Sequence, residues 1–294
     1  MPRNTPGNPP DKAEFLPHIV ETWLNNYEAA KDAERNAEER SGALIWASDA
    51  GSCSRRLHYD IRTRKGELEP SNPFTIADRY RFALGNLLHG VLEESIAEAF
   101  PGSEAEVRGM FDVPSLSFRA DAVIRGTEHG LVVGEWKSSG GYGYQKMTGA
   151  KGTADGPRLG AFMQGAISAH KMNADLLVVG YLSTECLSPA VARKNNRTEA
   201  ERFCAEWHYG PDVFNPVAVA ELHRLGEVLR QTDVGEDVPR WTPDLPVGAE
   251  ITHPATGLWS LVDGGHITMS GTYPLCAGYC SHHATCMADR EAGR

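Results

Sequence analysis

Cysteine spacing constrains what this chain can fold into more than any other feature. Cys276, Cys280 and Cys286 crowd the C-terminal end, and the fourth member the pattern suggests, Cys53, lies more than two hundred residues earlier. A tetrahedral metal centre needs four ligands, and thiolates suit zinc or iron–sulfur chemistry. A chain using these four must bring its two ends together and enclose the intervening segment as one working domain. MPRNTPGNPPDKAEF carries no basic region followed by an apolar stretch, so it reads as a short lead rather than a secretory signal. A cytoplasmic location follows as the expectation, and there six thiols are reduced or metal-bound rather than disulfide-bonded.

The remaining composition sets bounds. At 294 residues and 41% hydrophobic content the chain suits one large domain with a sizeable core. No run of about eighteen apolar residues occurs, so no membrane span is expected. The formal net charge of −10 argues against a surface coated all over with nucleic acid. It permits a local DNA-binding patch, and it fits a carboxylate-rich site that recruits cations.

Helical spacing predicts a helix over 17–40, with Ile19, Trp23, Tyr27 and Ala30 on one face, and another over 79–100 with the stripe Phe82, Leu88, Val91, Leu92, Ile96 and Ala99. Residues 105–113, 118–125 and 131–137 read as strands, the last two joined by a Gly126–Gly130 hairpin turn. Residues 138–156 read as a glycine-rich mobile loop. Pro157 opens a helix to about Lys171, residues 174–182 form a buried strand, and 188–199 read as a polar loop. A further strand over 202–209, a helix over 215–232 and an irregular wrap over 235–273 complete the reading. The order implies an α/β core with a mixed sheet. The expected divisions are a lead and helix at 1–47, the main domain at 48–286 and a tail at 287–294.

The chemistry concentrates in FRADAVI and LVVGEWKSS. Residues two apart on a strand share a face, so Glu135 and Lys137 project together while Trp136 faces away, and the hairpin can bring Asp121 alongside. Two carboxylates at one apolar-flanked point do not comfortably stay ionised without a cation. Their hard oxygens select Mg²⁺ or Mn²⁺. Lys137 would then position or deprotonate an attacking water, or stabilise charge on a phosphate. His89, on the helix before the strands, is a neutral imidazole suited to joining such a site. Acid–base pairs two apart are also common on solvated strand faces; Asp121 and the apolar flanks set this one apart.

His89, Asp121 and Glu135-Trp136-Lys137 resemble the active-site pattern of the PD-(D/E)XK nuclease superfamily, in its RecB-like branch. Gln164 in FMQGAISAHK is similar to the glutamine opening that branch's QxxxY motif, with Ser168 in place of the tyrosine. The resemblance implies a restriction-endonuclease-like core, with a mixed central sheet flanked by helices. It implies metal binding by His89, Asp121, Glu135 and the Trp136 carbonyl, catalysis by Asp121, Glu135 and Lys137, and a site-orienting or DNA-contacting Gln164.

With that core between them, the cysteines resemble those of iron–sulfur nucleases, the fourth CRISPR-associated protein family and the AddB nuclease domain. The implied ligands of a [4Fe–4S] staple are Cys53, Cys276, Cys280 and Cys286. Three residues separate Cys276 from Cys280 where that pattern has two, and five precede Cys286 as in the pattern. Structural zinc, with His282 or His283 replacing a thiolate, is the rival reading. Cys186 and Cys204 are expected to be buried thiols. Arg55, Arg56, Arg62, Arg64 and Lys65 form a basic run suited to DNA phosphates, and Tyr59, Tyr142 and Tyr144 to stacking on unpaired bases. The implied function is a Mg²⁺- or Mn²⁺-dependent DNA exonuclease acting on single-stranded ends, with partners in recombination, repair or CRISPR adaptation. A non-catalytic DNA-binding or assembly subunit and a zinc-stabilised structural module are the alternatives.

Overall fold

The computed structural model describes residues 15–37, 42–71, 74–150, 154, 156–236, 238 and 280–291. In chain order these form α1 (Phe15–Ala37), β1 (Ile45–Trp46), α2 (Ser54–Arg64), α3 (Ile76–Ala99), β2 (Glu104–Phe111), β3 (Leu116–Thr127) and β4 (Gly130–Ser139). There follow α4 (Gly141–Met147), α5 (Leu159–Met172), β5 (Leu176–Ser183), α6 (Pro189–Lys194), β6 (Cys204–Tyr209), α7 (Pro211–Val234) and α8 (His283–Glu291).

Two compact units emerge. The smaller comprises α1 and residues 74–84. Within it, Leu24 is buried, Trp23 packs against Tyr27 and edge-on to Tyr80, and Arg79 binds Asn25 and Glu28. A reciprocal Thr75–Asp78 pair opens α3, the two side chains satisfying amide donors left unpaired at a helix start.

The larger unit is built on a six-stranded mixed sheet in the order β1-β3-β4-β5-β6, with β2 also pairing β3. The β3–β4 hairpin turns at Gly126 and Gly130, whose φ values of 74° and 78° suit a residue without Cβ. β4 and β5 run parallel, so the chain crosses back through α5. Asn173, in the left-handed conformation, ends that helix. Phe162, Met163, Ile167, Leu177, Val179, Phe214 and Leu225 belong to the main core, where α5 and α7 meet the sheet. Ile96, Ala122, Ile124, Val132 and Val178 form a smaller second cluster.

Several expectations need correction. The glycine-rich segment after β4 is not simply a loop: 141–147 is helical. Tyr144 explains this, because it is fully buried and its hydroxyl lies 2.6 Å from the Cys204 carbonyl and 2.9 Å from that of Glu201. A tertiary anchor thus overrides weak local propensity. The polar stretch after Ser188 also contains a helix, α6, capped by the Ser188 hydroxyl and opened by Pro189. On α3, Phe82 and Val91 are exposed rather than inward-facing, whereas Ala83 and Ile96 are buried. Tyr59 and Tyr144 are core residues, unavailable for base stacking, while Tyr142 is exposed. Cys186 is exposed and Cys204 half-buried, so neither is a core thiol; Cys204 donates to the Ala200 carbonyl. The wrap expected over 235–273 falls almost wholly outside the described residues. No described helix is long and apolar enough to cross a membrane.

Candidate active site

The β3–β4 register pairs Ala122 with Gly134 and Val123 with Val133. One step further, Asp121 comes opposite Glu135. There the Asp121 carboxylate accepts the Trp136 backbone N–H at 2.7 Å. Trp136 is turned the other way, its indole against Gly134 and Gly180, where an added Cβ would collide with the ring.

Glu135 is fully buried and Asp121 nearly so. Gly165 of α5 lies over Glu135: a Cβ there would sit 3.0 Å from the Glu135 Cβ and 2.8 Å from Leu177 Cδ1. The helix can therefore approach the carboxylate closely. The Lys137 ammonium donates to Glu135 Oε1 and, at 3.2 Å, to Gln164 Oε1. Glu135 Oε2 is buried with no hydrogen-bond partner, an arrangement costly for an ionised group.

Burial, reinforced by Asp121 and only partly offset by Lys137, pushes the Glu135 carboxyl up to about 8. Burial opposes the charge on Lys137, but Glu135 and Asp121 outweigh it and raise its pKa. Lys137 is thus an ammonium at neutral pH. His89 lies with Nδ1 4.0 Å from Asp121 Oδ1, too far for a hydrogen bond. Burial, helped by Lys137 and opposed by Asp121, depresses its pKa, which leaves a neutral ring.

The structure therefore gathers His89, Asp121, Glu135, Lys137 and Gln164. Three further residues join them: Glu93 on α3, Glu106 on β2 and Arg119 on β3. Arg119 Nη1 binds Glu106 Oε2 at 2.7 Å, and Glu106 shares a hydrogen bond with Glu93. Burial is the main cause pushing the Glu106 carboxyl up to about 7, against the pull of Arg119. Glu93 was open to discovery because it follows His89 by four residues, one helical turn. Glu106 and Arg119 carry no such mark.

The carboxyl shift has a consequence for stability. A carboxyl whose folded pKa exceeds its unfolded value stays protonated in the folded chain over a range where the unfolded chain has ionised. Stability then falls as pH rises through that range. For Glu135 the window runs from the ordinary value of about 4.3 up to about 8. Metal-free protein is expected to lose denaturant midpoint steadily from about pH 5 to 8, and Glu135→Gln to flatten the slope. Equal slopes in the two proteins would show that Glu135 does not titrate there.

The basic run is engaged internally. Arg55 is buried and donates to the Val238 carbonyl at 2.8 Å. Arg64 is bidentate to Asp49 and lies over the Trp46 ring. Lys65 pairs with Asp233, Arg62 with Glu67 and Arg56 with Asp60. No unoccupied basic patch is formed by these five.

Cys53 stands at the N-cap position of α2 without a side-chain cap bond, and Cys280 precedes α8. The two are close enough for the Cys53 charge to act on Cys280. Burial raises the Cys280 pKa, although its sulfur accepts the His282 backbone N–H. The Tyr59 hydroxyl, 2.6 Å from Asp289, feels Cys286. His282 is buried, with Nε2 3.0 Å from Asp60 and Nδ1 unpartnered. Cys276 lies outside the described residues. Among the described residues, no three His, Cys, Asp or Glu side chains already form a group that could hold a metal ion.

No family model matches the sequence, and no curated protein matches it. Among solved structures, SSO0001 is similar over 78% of this chain and 90% of its own, at 18% identity and TM-score 0.44. The LHK-Exo complex with dAMP covers 65% and 88%, at 13% identity and TM-score 0.40. The alkaline exonuclease LHK-Exo from Laribacter hongkongensis covers the same shares, at 10% identity and TM-score 0.39.

Proposed function

We propose that the chain is a divalent-cation-dependent deoxyribonuclease that hydrolyses phosphodiester bonds, with single-stranded DNA ends as the substrate. One observation carries the reading: a fully buried Glu135 beside Asp121, with one carboxylate oxygen unpartnered. Hard oxygens in that posture fit Mg²⁺ or Mn²⁺, and a neutral His89 imidazole and the Trp136 carbonyl would complete the set. A bound cation would neutralise phosphate charge and acidify water.

The protein's own groups divide the remaining work. Asp121 is fixed by the Trp136 N–H. Glu135 releases its proton as the site fills, so binding is expected to weaken below its titration range. Lys137, held between Glu135 and Gln164, serves as a charged donor to the phosphoryl oxygens rather than as a base. Gln164 orients that ammonium.

We assign the cysteines a structural role. Cys53, Cys280 and Cys286 come from segments that the fold brings together, and with Cys276 they would hold a [4Fe–4S] cluster. The His282 N–H directed at Cys280 is the kind of support that tunes a bound thiolate. Iron and acid-labile sulfide are expected in anaerobically purified protein. Zinc without iron would favour the thiolate–imidazole alternative, with His282 Nδ1 as a ligand. The catalytic assignment is tested by Mn²⁺-dependent degradation of labelled single-stranded DNA, comparing the native chain with Lys137→Ala. Equal activity in the two would sink it.

A further inference from the structure

We infer that Arg119, braced by Glu106, binds a backbone phosphate of the DNA strand at the mouth of this centre; the inference rests on the nuclease reading and names one of its substrate contacts.

Glu106 is the unusual residue. It occupies the interior of β2, between the regular pairs Ala105–Ala122 and Val107–Ala120, yet has φ 55°. A non-glycine residue in that region is strained and persists where its surroundings over-determine it. By register Glu106 stands opposite Asp121, and its carboxylate holds Arg119 Nη1 at 2.7 Å. The Arg119 side chain remains 52% exposed, while its charge still reaches His89 and Glu135. The guanidinium therefore lies between solvent and the acidic centre.

Electrostatics explains why a cation belongs there. Glu93, Glu106, Asp121 and Glu135 present carboxyl groups to one region, where Lys137, 30% exposed, is held on the fully buried Glu135. Four carboxyl groups there outnumber the two cations, Lys137 and Arg119, that a polyanion can meet. A half-exposed guanidinium with donors beyond the Nη1–Glu106 bond offers the planar fork that suits a phosphate. A salt bridge this exposed adds little to stability, so folding alone gives weak reason for the strained backbone beneath it.

The test is fluorescence anisotropy with a labelled single-stranded oligonucleotide. Ca²⁺ replaces Mg²⁺, and salt runs from about 50 to 200 mM, the range over which phosphate contacts respond strongly. Arg119→Gln is expected to weaken binding roughly tenfold and lower the salt slope by about 0.7, the contribution of one phosphate contact on a single strand. Arg119→Lys should restore most of the slope and less of the affinity, since a point charge replaces a fork. Thermal midpoints are expected to match the native chain, because the pair is exposed. Native affinity and native slope in Arg119→Gln, with the native chain binding and cleaving normally, would overturn this inference alone. A native chain that neither binds nor cuts DNA would overturn the nuclease reading and this contact with it.

Discussion

Lys137→Ala is expected to reduce Mn²⁺-dependent cleavage by about 10²–10³-fold, the scale of losing one charged donor to a developing oxyanion. The chain should stay folded, because Glu135 without its ammonium partner stays protonated and leaves no buried charge stranded. With the ammonium gone, only the weaker pull of Arg119 still opposes burial and Asp121 at Glu135, so its carboxyl remains protonated to still higher pH. The variant should therefore show a lower kcat and a pH–rate rise displaced upward. Lys137→Arg keeps the charge but not the geometry at Gln164, and should recover only part of the rate. Native kcat in Lys137→Ala would remove the residue from the chemistry.

The second large effect lies away from the site. Glu221 is buried on α7, accepting the Gly51 N–H at 2.7 Å and two donors of Arg224. Arg224 also reaches the Ser54 hydroxyl at 2.9 Å. This pair therefore ties α7 to both flanks of Cys53. Glu221→Ala leaves a buried guanidinium uncompensated and a turn amide unpaired, and should cost about 3–5 kcal/mol. For a chain of this size that corresponds to roughly 10 °C in midpoint. The double change Glu221→Leu with Arg224→Leu should cost less than Glu221→Ala alone, because neither charge is then stranded. If the double variant proves the less stable of the two, the pair contributes net stability and not merely a penalty when broken.

Some of this architecture was legible in the chain. Alternation placed Glu135 and Lys137 on one side of β4 and Trp136 on the other, and a hairpin brings Asp121 opposite them. Periodicity likewise located α5 and α7. What escaped depends on partners far along the chain. The run from Arg55 to Lys65 looks like a phosphate-binding surface until Val238, Asp49 and Asp233 are placed against it. Glycines suggested a loop where buried Tyr144 winds α4. The part of Glu106 rests on a left-handed backbone angle and on its register with Asp121, and neither has a signature in residue order.

The central claim is that Asp121 and Glu135 form a cation site that drives hydrolysis. Calorimetric titration of Mn²⁺ at pH 7, in two buffers of different ionisation enthalpy, tests it most directly. Binding is expected to release protons from Glu135, to be lost in Asp121→Asn and to proceed without that release in Glu135→Gln. Absence of Mn²⁺ binding by the native chain, or binding indifferent to both substitutions, would contradict it.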